Sequence, residues 1–266
     1  MKTRSMIQPV LTLSFAAACG DVQAQAFDAV RLFGVPAGNG EGSVGAVVIS
    51  GHQYMGSDER RIRVLPGLDY RWSNGWFAGT GNGIGYVFAP ASNTPVGLRL
   101  TVDLGRSESR SAVLSGLGDI DARPEIGAFF NYLPNRNVFL TSSLRYGAGN
   151  DRKGAQLDLG AGYGLSLAPQ WRAAAGVAVT LVNRELMQSY FGISAAQSAA
   201  SGYPLYEVGA GLRDMRASAA LNWSFAPAWT ATAALSVSAL QGDAKNSPIV
   251  RERTSTNGVL ALSYRF

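Results

Sequence analysis

The end of the chain, residues 256–266, alternates between apolar side chains and small or polar ones. Successive side chains of a β-strand point to opposite faces, so Leu260, Leu262, Tyr264 and Phe266 share one face. A terminal strand of this kind is normally an adhesive sheet edge. That edge disappears if the strand pairs with the first strand and its apolar face contacts lipid. The pattern therefore predicts a closed transmembrane barrel, with the last strand of a soluble β-sandwich as the alternative.

The aromatic residues Tyr264 and Phe266 also resemble a C-terminal signature of bacterial outer-membrane proteins. That signature is read by the barrel assembly machinery, so we expect this machinery as a partner. Outer-membrane lipids are the other expected partner of the apolar face.

The start of the chain is typical of an exported protein. Lys2 and Arg4 precede an apolar stretch at 7–18, and Ala24-Gln25-Ala26 has the form of a cleavage site. The apolar stretch is shorter than the about 20 residues that a membrane-spanning helix needs. We predict a signal peptide at 1–26. Lipidation at Cys19, which follows a small residue, is the alternative.

Cys19 is the only cysteine and His52 the only histidine. The mature chain is therefore expected to lack disulfides, thiolate metal sites and multi-histidine metal sites, and no cofactor is predicted. The net charge of the full sequence is +5, and removal of Lys2, Arg4 and Asp21 with the signal peptide lowers it to +4. The basic residues form no stripe, so no nucleic-acid partner is expected. A mild positive charge favours anionic partners such as lipopolysaccharide.

Segments of about ten residues alternate between apolar and polar side chains along the rest of the chain. We predict a single all-β domain at 43–266, an antiparallel outer-membrane barrel that follows an irregular lead-in at 27–42. A barrel with both termini in the periplasm needs an even number of strands. The count predicts about 12 strands, with 10 as the alternative, and the twelfth is a poorly patterned strand near 107–117. The other eleven segments are 44–54, 62–72, 76–88, 96–105, 125–133, 138–148, 157–167, 171–182, 215–225, 229–240 and the terminal strand.

Short connections rich in Pro, Gly and Asn identify the periplasmic end of the barrel. All five tryptophans lie beside these connections, which predicts an aromatic girdle at one membrane interface. The longer connections are expected to face outward, and the longest, 183–206, is predicted to be ordered and to fold over the barrel mouth. The predicted outward connections are 55–61, 89–95, 149–154, 183–206 and 241–255.

Charged residues of both signs fall on the faces predicted to line the lumen. They could pair across neighbouring strands and brace the wall, or they could form a polar lumen that binds or passes solutes. The near balance of signs favours bracing, because an unpaired buried charge is costly. These residues are Arg63, Asp69, Arg71, Arg99, Asp103, Glu125, Arg145, Asp158, Arg172, Asp214 and Arg216.

No catalytic site is predicted. A barrel hydrolase needs a histidine beside a nucleophile or an acid, and His52 has no serine–histidine motif around it. The glycine-rich run at 79–85 lacks the spacing and the following helix of a phosphate loop, so we interpret it as a bend or a place of close packing in the wall.

An ordered set of short motifs resembles the MipA/OmpV family of outer-membrane proteins (MltA-interacting protein family). The set includes Tyr54-Met55-Gly56-Ser57-Asp58, Gly116-Leu117-Gly118-Asp119-Ile120, Tyr190-Phe191-Gly192-Ile193-Ser194 and Ser247-Pro248-Ile249-Val250. For residues Tyr54, Gly56, Ser57, Asp58, Tyr190, Phe191 and Gly192 two interpretations stay open. They either build the loops, with the glycines in special backbone conformations, or contact a partner directly.

The resemblance implies a barrel without known catalysis. Members of the family are described as a scaffold between a murein lytic transglycosylase and a bifunctional murein synthase, or are associated with adhesion or antibiotic binding. We therefore carry forward a non-enzymatic scaffold as the leading hypothesis. The alternatives are a porin-like channel or small-molecule-binding barrel, and a surface adhesin. The periplasmic turns are short for a docking surface, which leaves the lead-in and a turn near Arg106 as contact candidates.

Overall fold

A computed structural model describes residues 41–88 and 93–266 of the chain. Within them, 12 strands form one closed antiparallel barrel, so the predicted fold class and strand number are confirmed. The signal peptide predicted at 1–26, the alternative lipid site at Cys19 and nearly all of the lead-in at 27–42 lie outside the described residues. The strands are β1 (Glu41–His52), β2 (Arg60–Arg71), β3 (Trp76–Gly79), β4 (Gly83–Phe88), β5 (Val96–Asp103), β6 (Arg123–Tyr132), β7 (Val138–Ala148), β8 (Gly154–Ala168), β9 (Trp171–Val182), β10 (Gly211–Ala226), β11 (Trp229–Leu240) and β12 (Thr254–Arg265).

The barrel closes where β1 pairs with β12, from Ser43 opposite Arg265 to Ser50 opposite Gly258. Beyond the last pair, Gly42 and Phe266 exchange two backbone hydrogen bonds of 3.1 and 3.0 Å. The face predicted to meet lipid points outward, and its residues Leu260 and Phe266 are exposed. Val259, on the other face, is buried inside the barrel. Alternation thus separates a lipid-facing surface from a lumen-facing one, as the terminal strand predicts.

The connections divide the barrel into two unlike ends. At the turn end are the connections 72–75, 133–137, 169–170 and 227–228, residues 93–95 before β5, and both ends of the barrel sequence. At the loop end, the connections are 53–59, 104–122, 149–153, 183–210 and 241–253, whereas 80–82 turns the chain partway along the wall. All five tryptophans lie at the turn end on the outer face, and Trp171 stacks on Trp223 with ring centroids 5.3 Å apart. The predicted aromatic girdle is therefore present.

The strand predicted near 107–117 is wrong. That segment forms two short 3-10 turns, Glu108–Arg110 and Ala112–Leu114, in a loop between β5 and β6. The twelfth strand comes from 76–88, which is a hairpin of two short strands rather than one long one. The glycine-rich run supplies its turn, since Gly83 adopts a φ of +72° that favours glycine.

The extra hairpin reverses the direction in which β5 crosses the membrane. The connections before and after β5 therefore lie at the opposite ends of the barrel from those predicted. Segment 89–95 was expected to face outward, but it joins β4 to β5 at the turn end; residues 89–92 of it lie outside the described part. The turn expected near Arg106 at the periplasmic end is instead part of the loop 104–122, at the opposite end. The remaining outward connections, near 55–61, 149–154, 183–206 and 241–255, lie at the loop end as predicted.

The β3–β4 hairpin is too short to span the wall. β2 pairs with β1 along its whole length but with β3 only from Asp69 to Arg71. In the described part of the chain, Arg60–Leu68 therefore has no strand on its second side. Pro66 lies in the middle of this stretch. Its missing N–H breaks no ladder bond, because this side of β2 has no partner strand, and prolines are tolerated at sheet edges for that reason. The hairpin leaves a notch in the loop-end half of the wall.

Apolar side chains cross the lumen near the middle of the barrel. Val47 and Ile49 of β1 pack in one cluster with residues of β10, β11 and β12, and Leu65 and Phe139 pack against it. Phe139 projects from β7, across the ring from β1. Glycine makes room for its ring, since a Cβ at Gly162 would lie 2.2 Å from it. This layer occupies the lumen between β1 and β7.

Two short helices complete the described fold, α1 (Arg184–Phe191) and α2 (Ala195–Ser201), both in the longest loop. Each begins at a side chain that accepts a backbone hydrogen bond, Asn183 for α1 and Ser194 for α2. No helix in the described ranges is long and apolar enough to cross a membrane.

Two glycines at the closing seam should respond differently to substitution. A Cβ at Gly45 would lie 2.0 Å from the Leu262 carbonyl oxygen, whereas one at Gly258 would meet nothing within 4 Å. We expect Gly45→Val to destabilise the refolded barrel by about 1–3 kcal/mol through overpacking. Gly258→Val should change stability by less than about 0.5 kcal/mol. Urea titration in detergent micelles measures both, and equal effects of the two variants would contradict this account of the seam.

Candidate functional site

Four loops at the loop end form a cap with an apolar interior. Leu186, Met187, Tyr190 and Phe191 of α1 are buried in one cluster together with Ile120 and residues from the other loops. A second cluster joins Tyr54, Leu114, Leu117, Ile193 and Ile249. The loop predicted to be ordered and to fold over the mouth does so, because its aromatic residues are at the centre of these clusters.

The motif at 54–58 is a tight turn within the cap. Tyr54 is 1 % exposed, and its hydroxyl donates a 2.9 Å hydrogen bond to the Ile249 carbonyl. Gly56 has a φ of +94°, and its carbonyl accepts hydrogen bonds from the amides of Arg251 and Glu252 at 2.7 and 3.0 Å. The Ser57 carbonyl contacts the Nδ1 atom of His52. The motif therefore links the β1–β2 loop to the last loop of the chain.

The motif at 190–194 links the cap to the barrel wall. The Tyr190 hydroxyl donates to both carboxylate oxygens of Asp103, at 2.7 and 2.9 Å, and its carbonyl accepts from Arg106 at 2.8 Å. The Phe191 carbonyl accepts a 2.6 Å hydrogen bond from the Ser247 hydroxyl. Ile193 exchanges two backbone hydrogen bonds with Tyr206, at 2.8 and 3.0 Å. The helix is thereby fixed over the lumen.

The two motifs meet on the segment 247–250, which both contact. Of their seven singled-out residues, only Asp58 is exposed; the others are buried. The interpretation that the motif glycines adopt special backbone conformations is right for Gly56 and wrong for Gly192. Gly56 adopts a left-handed conformation, but Gly192 has a φ of −77° and is needed for space, since a Cβ there would lie 2.0 Å from the Gln188 side chain. Asp58 is the residue of this set that a partner could reach directly.

All eleven charged residues predicted for the lumen lie on inward-facing positions of the strands. The cross-strand register aligns them on one face from β2 to β10. Their burial differs along the barrel. Arg63, Glu125, Arg145, Asp214 and Arg216, in the loop-end half, are buried, whereas Asp69, Arg71 and Arg172, in the turn-end half, are exposed.

A chain of ion pairs and hydrogen bonds joins β6, β7, β8, β9 and β10. Arg145 contacts Glu125 at 3.4 Å and Asp158 at 3.2 Å. Thr180 donates to Asp158 at 2.9 Å and to Asp214 at 3.4 Å. Neutralising partners on neighbouring strands reduce the cost of burying these charges, so the network can hold the wall together.

Arg213 belongs to this network but was not predicted. It pairs with Asp214 at 2.8 Å and donates to Gln156 at 3.0 Å. Strict alternation would aim either Arg213 or Asp214 at lipid, where a charge is costly. A β-bulge between Leu212 and Asp214 turns both side chains inward. Two adjacent charges in a lipid-spanning strand were the signal that could have indicated this bulge.

A cavity of about 250 Å³ remains in the lumen beneath the network. Its lining includes Arg71, Arg99 and Arg216, the aromatic rings of Phe77 and Phe129, and Asn82 at the tip of the β3–β4 hairpin. Asp158 is the acidic residue of the lining, and it already contacts Arg145. Arg99 donates to the Ser143 hydroxyl and lies 6.0 Å from the centroid of the Phe129 ring. The cavity is therefore basic and partly aromatic.

Comparison with known proteins agrees with this architecture. The family model described as "MltA-interacting protein MipA" matches residues 44–266. No curated protein matches the chain. Among solved structures, the barrel is similar to the translocator domain of the autotransporter NalP from Neisseria meningitidis, with 13% identity, a TM-score of 0.56, and coverage of 92% of this chain and 95% of that one. It is also similar to the NanC porin, with 9% identity, a TM-score of 0.50, and coverage of 82% and 98%. At these identities the structures share the outer-membrane barrel fold alone.

Removal of the central arginine of the network should be costly. Arg145→Ala leaves Glu125 and Asp158 inside the wall without their shared cation, and breaking a buried pair costs about 3–5 kcal/mol. Arg172→Ala, on the inner face of β9 but exposed, should cost less than about 1 kcal/mol. Urea unfolding in micelles distinguishes the two, and a loss below about 1 kcal/mol for Arg145→Ala would show that the network does not brace the wall.

The buried hydroxyl of Tyr54 makes the cap sensitive to alkaline pH. Burial raises the pKa of Tyr54 to about 12, from an ordinary value of about 10. The folded cap thus favours the neutral phenol, and its contribution to stability is complete below pH ~10 and is lost as the pH rises towards ~12. We expect the difference in tyrosinate absorbance between wild type and Tyr54→Phe to titrate near pH 12. A midpoint near pH ~10 would mean that the hydroxyl is solvated.

Proposed function

The chain belongs to the MltA-interacting protein family of bacterial outer-membrane barrels, and from this premise we propose that it is a non-enzymatic, non-conducting scaffold for murein enzymes. The family description names an interaction with MltA. We propose that this chain likewise holds a murein lytic transglycosylase, and with it a murein synthase, at the periplasmic face of the membrane.

The obstructed lumen is the observation that carries this proposal. The cap covers one end, the Arg145 network crosses the wall beneath it, and Phe139 and Leu65 belong to an apolar layer farther down. Such an interior suits a static membrane anchor better than an open pore. It therefore supports the scaffold over the porin-like alternative.

The cap also bears on the adhesin alternative. The aromatic residues of the 190–194 motif point into the cap, and Phe191 and Ile193 are buried. They are thus occupied in packing the loops on each other. This arrangement favours a closed outer surface over an adhesive one.

The docking surface has to lie at the turn end, because short turns face the periplasm in outer-membrane barrels. Arg106 is no longer a candidate, since it is buried at the loop end and donates to the Tyr190 carbonyl. In the described part of the chain, four arginines are exposed at the turn end: Arg136 in a turn, Arg172 and Arg265 at the lumen rim, and Arg71, which lines the cavity. Positive charge at this rim favours an acidic face on the partner enzyme.

Crosslinking in intact envelopes tests the proposal. Affinity purification of the crosslinked barrel should recover a murein transglycosylase. Replacing Arg136, Arg172 and Arg265 by glutamine removes three rim charges, each worth about 0.5 kcal/mol, and should weaken recovery roughly tenfold. A matched variant, with glutamine at the exposed loop-end residues Arg61, Arg152 and Arg184, should behave as wild type.

Planar-bilayer recording of the refolded barrel provides the second arm. We expect no stable conductance. Recovery of no murein enzyme from wild-type envelopes would overturn the scaffold proposal, and long-lived open channels would support a porin in its place.

A further inference from the structure

The inner wall from β8 to β11 is lined by very short side chains near the middle of the barrel. Two register-aligned rows cross these four strands, and no residue in either row is larger than serine. Neighbouring strands lie about 4.8 Å apart, so this smooth wall is about 14 Å wide. Its eight residues are Gly162, Gly176, Ser218 and Ser236 in one row, and Gly164, Ala174, Ala220 and Ala234 in the other.

Side chains this short do not fill the lumen on their own. The side chains of an eight-stranded barrel just fill its interior, and a ring of twelve strands encloses a wider space. The apolar layer supplies larger side chains, but these come from the strands that flank the smooth wall, β12, β1, β2 and β7. They are Val47, Ile49, Leu65, Phe139 and Val259. Room for a further segment of chain therefore remains against the middle of the wall.

The smooth wall is nevertheless buried. Ser218, Ala220 and Ala234 are at most 8% exposed, and Ser236 is 3% exposed. Glycine in a strand often marks a place where another backbone approaches closely, since no side chain stands in its way. A Cβ added at Gly164 would make only ordinary van der Waals contacts with the described residues, at 3.6 Å and beyond. The wall thus has the form of a surface on which a peptide segment packs.

The segment that precedes β1 starts at the right place to reach this wall. β1 begins at the turn end, where Glu41 lies opposite Arg71. Residues 27–40, the fourteen that follow the predicted cleavage site, lie outside the described part of the chain. Fourteen residues can span up to about 45 Å, whereas Val47 of the apolar layer is about 20 Å along β1 from Glu41. The segment is therefore long enough to enter the lumen through its mouth.

The sequence of this segment suits a return into the lumen. Gly38-Asn39-Gly40, directly before β1, is a combination that permits a tight reversal of chain direction. Four apolar residues lie close together before it: Val30, Leu32, Phe33 and Val35. In the periplasm these side chains would be exposed to water, whereas against alanine and glycine they are removed from it, which is favourable.

We propose that residues 27–40 turn back at Gly38-Asn39-Gly40 and pack inside the barrel, with the apolar residues at 30–35 against the β8–β11 wall. The lumen is then closed from the periplasmic side by the chain's own N-terminal segment, and at the loop end by the cap. This inference concerns the isolated barrel and needs no partner, so it can fail while the scaffold proposal stands. It leaves the arginines of the turn-end rim as the docking surface.

Engineered disulfides test where the segment lies. The predicted mature chain has no cysteine of its own, so introduced pairs report contacts without background. In the refolded barrel, Phe33→Cys is combined with a cysteine on the inner wall, at Ala174 or Ala220. The controls are the neighbouring positions on the outer face, Ala173 and Ala219. We expect oxidation to form an inner disulfide at least about tenfold faster than an outer one, because the bond needs Cα atoms within about 7 Å. Equal rates, or no disulfide at all, would overturn the proposal.

Thiol labelling tests whether the segment covers the wall. With Ala220→Cys, a soluble maleimide should react at least about tenfold faster in a variant that lacks residues 27–37 than in the full mature chain, because thiol reactivity follows exposure. Ser166→Cys, exposed at the rim, should react equally in both. Leu32→Ser with Phe33→Ser keeps the length of the segment and should also speed labelling at position 220. Unchanged labelling there in both variants would show that the barrel covers its own wall. Heat-dependent mobility on gels confirms that each variant is folded.

Discussion

In a bilayer, a peptide group that lacks a partner has no water to bind, so a sheet can cross only when its two edges are joined. Here the joint is the pairing of β1 with β12, which extends to the reciprocal hydrogen bonds of Gly42 and Phe266. Closure fixes which side chains face lipid and which face the lumen. The girdle, the ion network and the apolar layer all follow from that division, since each occupies one face of the same closed ring.

Alternation made much of this predictable. The terminal strand and the inward position of residues such as Arg145 and Asp158 follow from a period of two residues. Whether the lumen is open or filled does not follow from it, because alternation assigns faces and not side-chain packing. The period says nothing about where a strand is interrupted. The run at 79–83 contains a tight turn that alternation does not reveal, because glycine neither breaks the alternation nor contributes to it. The pattern therefore predicts one strand where the structure has two, and it places the connection at 89–95 at the wrong end of the barrel.

The site was less predictable for the same physical reason. Arg213 enters the network through a bulge, which shifts the period by one residue without changing composition. The contacts of Tyr54 and Phe191 with the segment 247–250 depend on tertiary packing between distant loops. The resemblance to a known family singled out these motifs, but only the folded cap shows that their side chains are buried.

The bond between Tyr54 and Ile249 joins residues 195 positions apart in the sequence. One of its partners follows the first strand, and the other precedes the last. Contacts of such separation carry a large loop-closure entropy cost, and the pairing of β1 with β12 offsets part of it by bringing the two ends of the sequence together. The Tyr54–Ile249 bond therefore couples closure of the cap to closure of the ring.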